Sequence, residues 1–160
     1  MKRVVSTLLL GTLLAAAAPT RAAAQANDPV LGTWKLNVAK STYSEGGAPK
    51  SLTRVYTAAG KGYKFVAKGV GADGKATSTE FTMNYDGKYV AATGNPAFDS
   101  IKVKRVDANT IEATQKKGGK VVSVTTRVLS KDGKTLTSTA KGTNAAGKAF
   151  TNVEIFEKQP

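Results

Sequence analysis

The sequence predicts an all-β protein, an antiparallel up-and-down β-barrel of eight to ten strands that follows an N-terminal signal peptide. From Gly60 to Asn144, turn signals recur in seven steps over 84 residues, or about 12 residues per step, which is the spacing of a β-meander. Between the turns, Val, Thr, Tyr, Phe and Ile alternate with polar residues. This period of two is typical of strands with one buried and one solvated face.

The N-terminus has the features of a secretory signal peptide, which we assign to residues 1–26. Lys2 and Arg3 precede an apolar run at 4–18, and 22–26 supply the small residues of a cleavage site. The run is shorter than the roughly 20 residues that a membrane-spanning helix needs. We therefore expect one domain at 27–160, periplasmic or secreted. Because the chain has no cysteine, we expect neither disulfides nor a lipid anchor.

The mature domain is strongly basic. The chain has 24 Lys and Arg against 11 Asp and Glu, and removing Lys2, Arg3 and Arg21 leaves a net charge of about +10. Such a field attracts anionic ligands or an anionic envelope surface. The lysines are nevertheless spread along the strands and turns, as on any solvated surface, so both interpretations stay open.

The strands follow in order, linked by short turns that make neighbours in sequence neighbours in the sheet. Closing such a meander into a barrel hides its edges. The link at 39–50 is rich in Gly and Pro and has room for only a turn or two of helix. Ten strands are predicted at 32–38, 51–58, 62–70, 76–84, 88–92, 99–106, 110–116, 120–130, 134–141 and 148–157.

Many inward positions have small side chains. A barrel of this size with such a lining either holds a cavity or flattens until it packs dry, and the sequence favours the cavity. The small inward residues are predicted to be Ala67, Thr79, Ala91, Ala113, Ser138 and Ala140. The predicted apolar lining of the cavity is Phe65, Phe81, Met83, Ile101 and Phe156.

Both ends of the domain resemble a known family. The stretch 32–36, with Trp34, followed by Tyr43, is similar to the first strand of the fatty-acid-binding proteins and of the wider calycin group that includes lipocalins. The stretches 118–120, 132–137 and 153–158 resemble the last three strands of the fatty-acid-binding proteins. The resemblance implies a lipocalin-like barrel that binds and transports lipids or similar molecules. From the signal peptide and the absence of cysteine, we expect a bacterial secreted member. It gives Trp34 a structural role at the bottom of the barrel.

The chain departs from this family at its lid and at its ligand grip. The family has a helix pair between its first two strands, for which 39–50 is too short. It also holds a ligand carboxylate with an arginine and a tyrosine on the last strand, where this chain has Glu154 and Phe156. At the position of a further arginine on an earlier strand this chain has Thr126, with Arg127 one residue along and therefore on the opposite face unless a bulge intervenes.

Glu154 has two possible orientations. It can point inward, where an unpaired carboxylate is costly, with Arg127, Arg105 or Arg54 as its partner. Alternatively, a shift of one residue places Val153 and Ile155 inside and Glu154 on the surface.

The composition excludes several kinds of chemistry. Without histidine or cysteine, the chain cannot form a His-ligated haem, a His or Cys zinc site or a Ser-His-Asp triad. Most acids fall in turns, so no carboxylate pair faces across a cleft, and we expect no enzyme activity, metal or cofactor. Scattered tyrosines argue against nucleic-acid binding, and outward lysines argue against an outer-membrane barrel.

We therefore expect an exported monomer that holds a small hydrophobic or amphiphilic ligand inside the barrel. The alternative is a protein-binding barrel, an inhibitor or interaction module, without an internal ligand. The size of the inward residues separates the two and favours the first. The predicted ligand-binding residues are Phe65, Phe81, Met83, Ile101, Arg127, Glu154 and Phe156.

Overall fold

The computed structural model describes residues 28–160, and the predicted signal peptide at 1–26 lies outside the described residues. The described chain forms eleven strands in one antiparallel sheet and one short 3-10 helix. The strands are β1 Gly32–Leu36, β2 Thr42–Tyr43, β3 Ser51–Ala59, β4 Gly62–Val70, β5 Ala76–Asn84, β6 Tyr89–Ala91, β7 Ser100–Arg105, β8 Thr110–Lys117, β9 Lys120–Leu129, β10 Thr135–Thr143 and β11 Ala149–Lys158, and the 3-10 helix spans Val38–Lys40.

The sheet confirms the predicted up-and-down barrel. Its strand order is β5-β4-β3-β1-β11-β10-β9-β8-β7-β6. The strands β1 and β11, at the two ends of the described chain, pair with each other, and all the remaining neighbours except β1 and β3 are hairpins. The ten predicted strands correspond to β1 and β3 to β11. The two-residue β2, which was not predicted, pairs with β11 beside this order. No helix within residues 28–160 has the length and hydropathy to cross a membrane.

The barrel has a seam between β5 and β6, the two ends of the strand order. Glu80 of β5 and Thr93, which follows β6, exchange two backbone hydrogen bonds of 3.0 and 2.9 Å. Nearby, the Asn95 side-chain amide donates to the Thr79 hydroxyl at 2.9 Å. These contacts tie the two edges together without a continuous ladder.

Four of the predicted hairpin turns use the same local device. The carboxylates of Asp73, Asp86, Asp107 and Asp132 each accept a hydrogen bond from the backbone N–H two residues further on. This Asx turn reverses the chain tightly. The interpretation of these acids as turn residues is therefore confirmed. The turn at Asp86 is not a hairpin turn as predicted, because it joins β5 to β6, which are not paired with each other.

One end of the barrel is closed by large side chains around Trp34. Trp34 is fully buried, and its indole N–H donates to the Val30 carbonyl at 2.8 Å. Tyr56 and Tyr63 pack edge to face with ring centroids 5.1 Å apart. Phe156, directly opposite Leu36 on β1, is also fully buried. We call this the closed end, and the opposite end, where β3 begins, the mouth.

The segment before β1 is fastened to the closed end by an ionic network. The Asp28 carboxylate accepts a 2.6 Å hydrogen bond from the Tyr85 hydroxyl and pairs with Arg105 at 2.5 Å. The Arg105 guanidinium lies 4.2 Å from the centre of the Tyr85 ring. Because Tyr85 follows β5 and Arg105 ends β7, the network also spans the seam at this end.

One inward residue was predicted on the wrong face. Ala91 is exposed, whereas Val90 and Ala92 pack against the core. The strand β6 has only three residues and ends at the seam. Its alternation is too short to fix the facing from the sequence.

Candidate functional site

The mouth half of the barrel contains a cavity of about 320 Å³. Its walls come from β3 to β5 on one side and β7 to β11 on the other. Small inward side chains leave this space open, so the cavity expected from the sequence is present. It is lined by Pro49, Leu52, Arg54, Phe65, Ala67, Thr77, Thr79, Phe81, Asn95, Ala97, Phe98, Ile101, Gln115, Ser123, Thr125, Arg127, Ser138, Ala140, Phe150 and Glu154.

The apolar part of the wall includes three of the predicted lining residues. Phe65 and Phe81 stack with ring centroids 4.6 Å apart, and Ile101 completes this side. Met83 and Phe156 are buried, but they belong to the closed end and not to the cavity wall. Alternation along a strand predicted that they face inward, but it does not specify their depth along the barrel axis.

Glu154 faces inward and its partner is Arg54. The two side chains form an ion pair of 2.5 Å and are only 15% and 11% exposed, respectively. The Tyr43 hydroxyl donates to the other carboxylate oxygen at 3.2 Å. Burial, and next the charge of Glu154, raise the pKa of Tyr43 above its ordinary value, so the hydroxyl stays a neutral donor. Of the two orientations left open by the sequence, the structure has the first.

Arg127 also faces inward, on the floor of the cavity. It is 3% exposed and lies between Ile111 of β8 and Ser138 of β10. It forms no ion pair within residues 28–160, and its Nε and Nη1 have no hydrogen-bond partner there. Burial lowers its pKa, but nearby Tyr56, Tyr63 and Glu154 outweigh this and raise it above the ordinary value. Arg127 therefore stays a cation.

The inward facing of Arg127 results from a bulge in β9. Gln115 of β8 pairs with Ser123, but the next residue, Lys116, pairs with Val121, so Val122 is an extra residue in β9. An extra residue reverses the alternation beyond it. Counting from Lys120 therefore placed Thr126 inside, which is wrong, and Arg127 takes that face. The sequence has no glycine or proline there to signal the bulge.

The polar groups around Arg127 have an excess of hydrogen-bond donors. Buried atoms without a partner in the described residues include Arg54 Nε and Nη1 and the hydroxyls of Tyr56, Tyr63 and Ser138. All of them can donate. An oxyanion, which only accepts, is chemically suited to such a group.

Nearer the mouth, the polar groups satisfy one another. The Gln115 side-chain oxygen accepts hydrogen bonds from Ser123 and Thr125 at 2.5 and 3.2 Å. The charged side chains of the wall are Arg54, Arg127 and Glu154, which gives the cavity a net charge of +1. The cavity thus combines an apolar side, a neutral polar rim and one uncompensated cation at its floor.

Known proteins give no assignment for this chain. No family model and no curated protein matches the sequence. Among solved structures, the chain is similar to the zebrafish ileal bile acid-binding protein complexed with cholic acid, with a TM-score of 0.47 and 15% sequence identity. The match covers 82% of this chain and 99% of that one. A likeness at this level assigns neither a family nor a ligand to this protein.

Proposed function

We propose that this protein is a carrier that binds one small amphiphilic anion inside its barrel. The observation that supports this most directly is Arg127, a buried guanidinium in the cavity wall with no acidic partner in the described chain. Taking an ion out of water costs several kcal/mol. A ligand with one negative charge offsets that cost and neutralises the cavity.

The walls suggest how such a ligand is oriented. Its charged head lies on the floor beside Arg127 and Ser138, where the donors are concentrated. Its apolar part extends towards the mouth along Phe65, Phe81 and Ile101. Burying apolar surface contributes about 25 cal/mol per Å², so burial supplies affinity and the head supplies orientation.

Dodecanoate and dodecanol test the role of the charge because they share one chain length. We expect isothermal titration calorimetry to show about 10- to 100-fold tighter binding of dodecanoate, as for a hydrogen-bonded charge. In Arg127→Met this preference should vanish, while the melting temperature stays equal or rises because a buried unpaired charge is gone. Arg127→Lys is the matched control, since it keeps the charge and should retain part of the preference.

Glu154→Gln tests the same electrostatics in the opposite direction. Removing this carboxylate raises the cavity charge from +1 to +2, so dodecanoate should bind about tenfold more tightly. The variant should also lose about 3 kcal/mol of stability because Arg54 loses its buried ionic partner. Equal binding of both ligands to the wild-type protein would contradict the proposal. Binding of neither would favour the alternative, a barrel that binds a protein partner.

We also propose that the carrier acts after export. The basis is the signal-like sequence at 1–26 and the position of Asp28, which is the second residue after a cleavage at Ala26 and is bound to Arg105 in the folded barrel. When the full chain is expressed in a bacterium, we expect the intact mass of protein from the periplasm or medium to correspond to cleavage near Ala24 or Ala26. Uncleaved protein found only in the cytoplasm would contradict export.

A further inference from the structure

A second pocket of about 310 Å³ adjoins the cavity at the mouth. We call it the mouth pocket. It lies under the β6–β7 loop and between the β8–β9 and β10–β11 hairpins. Four of its residues, Ala97, Phe98, Ser123 and Phe150, also line the cavity, so the two spaces meet at these residues. Its other residues are Pro96, Lys117, Val122, Thr143, Asn144 and Ala145.

The β9 bulge that turns Arg127 inward also shapes the mouth pocket. It places Val122 and Ser123 together in the pocket wall. Opposite Ser123 on β10 is Gly142, where a side chain would meet the Val122 carbonyl oxygen at 2.1 Å. Only glycine permits this close approach of the strands at the bulge. One irregularity thus shapes both the charged floor and the apolar end.

We propose that the mouth pocket receives the far apolar end of an elongated ligand whose charged head lies at Arg127. This inference rests on the proposed function and adds to it a ligand class, long-chain or similarly extended amphiphilic anions. Arg127 and Ser123 are four residues apart on β9, which corresponds to about 13 Å along a strand. An extended ligand longer than this span reaches past Ser123 to Phe98 and Phe150, which line both spaces, and its end then lies in the mouth pocket.

A chain-length series tests this ligand class. Octanoate is shorter than the span from Arg127 to Ser123, and hexadecanoate is longer. Each further methylene buried in the mouth pocket should tighten binding about fourfold. We therefore expect affinity to keep rising from octanoate to hexadecanoate in calorimetric titrations of the wild-type protein.

The hairpin between β10 and β11 offers a matched pair of variants. Ala145 lines the mouth pocket, whereas its neighbour Ala146 does not, and both are exposed. Ala145→Trp fills the pocket and should weaken hexadecanoate binding at least about tenfold while leaving octanoate binding unchanged, as expected for about two lost methylene contacts or more. Ala146→Trp should change neither.

The outcomes separate this inference from the proposed function. If hexadecanoate binds no more tightly than octanoate, or if Ala145→Trp and Ala146→Trp behave alike, the mouth pocket is not used and the inference is overturned. Loss of the Arg127-dependent preference for dodecanoate over dodecanol remains a separate result, which tests the head-group site alone. If no carboxylate binds the wild-type protein, both fall together.

Discussion

At the scale of single residues, Tyr63 shows how the interior is tuned by burial. Its ring is fully buried beside Tyr56 and Tyr85, yet its hydroxyl has no hydrogen-bond partner in the described chain. Burial raises its pKa above the ordinary value for tyrosine. Burial is also the main cause that raises the pKa of Tyr85, and its hydrogen bond with Asp28 is the second. Both phenols therefore stay neutral in the folded protein at pH values where an unfolded chain ionises them.

These shifts predict how stability depends on pH. The chain has no histidine, so no side chain with an ordinary pKa titrates near neutrality and stability should be flat there. Since the folded pKa values are raised, the unfolded state loses protons first above about pH 10. The free energy of unfolding should therefore fall from that pH upward, as measured by urea titrations at a series of pH values.

Tyr63→Phe separates the buried hydroxyl from the ring. We expect this variant to be as stable as the wild type or more stable at neutral pH, and less sensitive to alkali, because it removes an unpartnered polar group. Tyr89→Phe, at an exposed tyrosine, is the control and should leave the profile unchanged. A loss above about 1 kcal/mol in Tyr63→Phe would show that the hydroxyl makes a stabilising hydrogen bond.

Part of the site follows from the sequence at this scale. Alternation placed Phe65, Phe81 and Ile101 in the interior, and all three line the cavity. The inward facing of Arg127 could not be predicted because it depends on the bulge at Val122. The bulge exchanges the inward and outward positions in the rest of β9. The partner of Glu154 could not be selected either, since distance in three dimensions, not sequence, separates Arg54 from the other arginines.

At the scale of elements, the segment before β1 acts as a strap across the closed end. Val30 is buried beneath Trp34, and Asp28 is held by Tyr85 and Arg105. The strap therefore connects β7 with the residue that follows β5, across the seam, where the ladder is reduced to the Glu80–Thr93 bridge. Regular strands and turns were predictable from periodicity. This strap and the two-residue β2 were not, because neither has a repeating pattern.

Asp28→Ala tests the strap. The change removes a buried carboxylate and leaves Arg105 without its anion, so we expect a loss of about 2–3 kcal/mol in the free energy of unfolding. Backbone amides of β5 and β6 should exchange hydrogen faster, since the seam loses one of the contacts that stabilise it. Asp86→Ala, which removes only a turn carboxylate at the same end, is the matched control. Equal effects of the two substitutions would mean that the strap does not secure the seam.

At the scale of the whole molecule, the ends of the described chain lie side by side. β1 pairs with β11, the Gln159 backbone N–H donates to the Thr33 carbonyl at 2.9 Å, and Lys158 reaches the Pro29 carbonyl at 3.3 Å. The seam between β5 and β6 therefore lies near the middle of the chain, and the strand pairing with the greatest sequence separation joins its ends. A meander predicts the order of the strands, but which pair is left open depends on how the closed barrel packs.

Because the two ends of the described chain are paired and the seam lies near its middle, the order of the strands along the chain can be changed without changing which strands pair. A circular permutant, with Pro160 linked to Asp28 by a short flexible linker and new termini between Asp86 and Gly87, would join every fully laddered strand pair of the barrel by a local connection. Its contact order is lower, so we expect stopped-flow refolding to be faster, with the cavity and its binding preserved. If the permutant refolds more slowly than the natural chain, the covalent link across the seam guides folding, and the barrel closes there early.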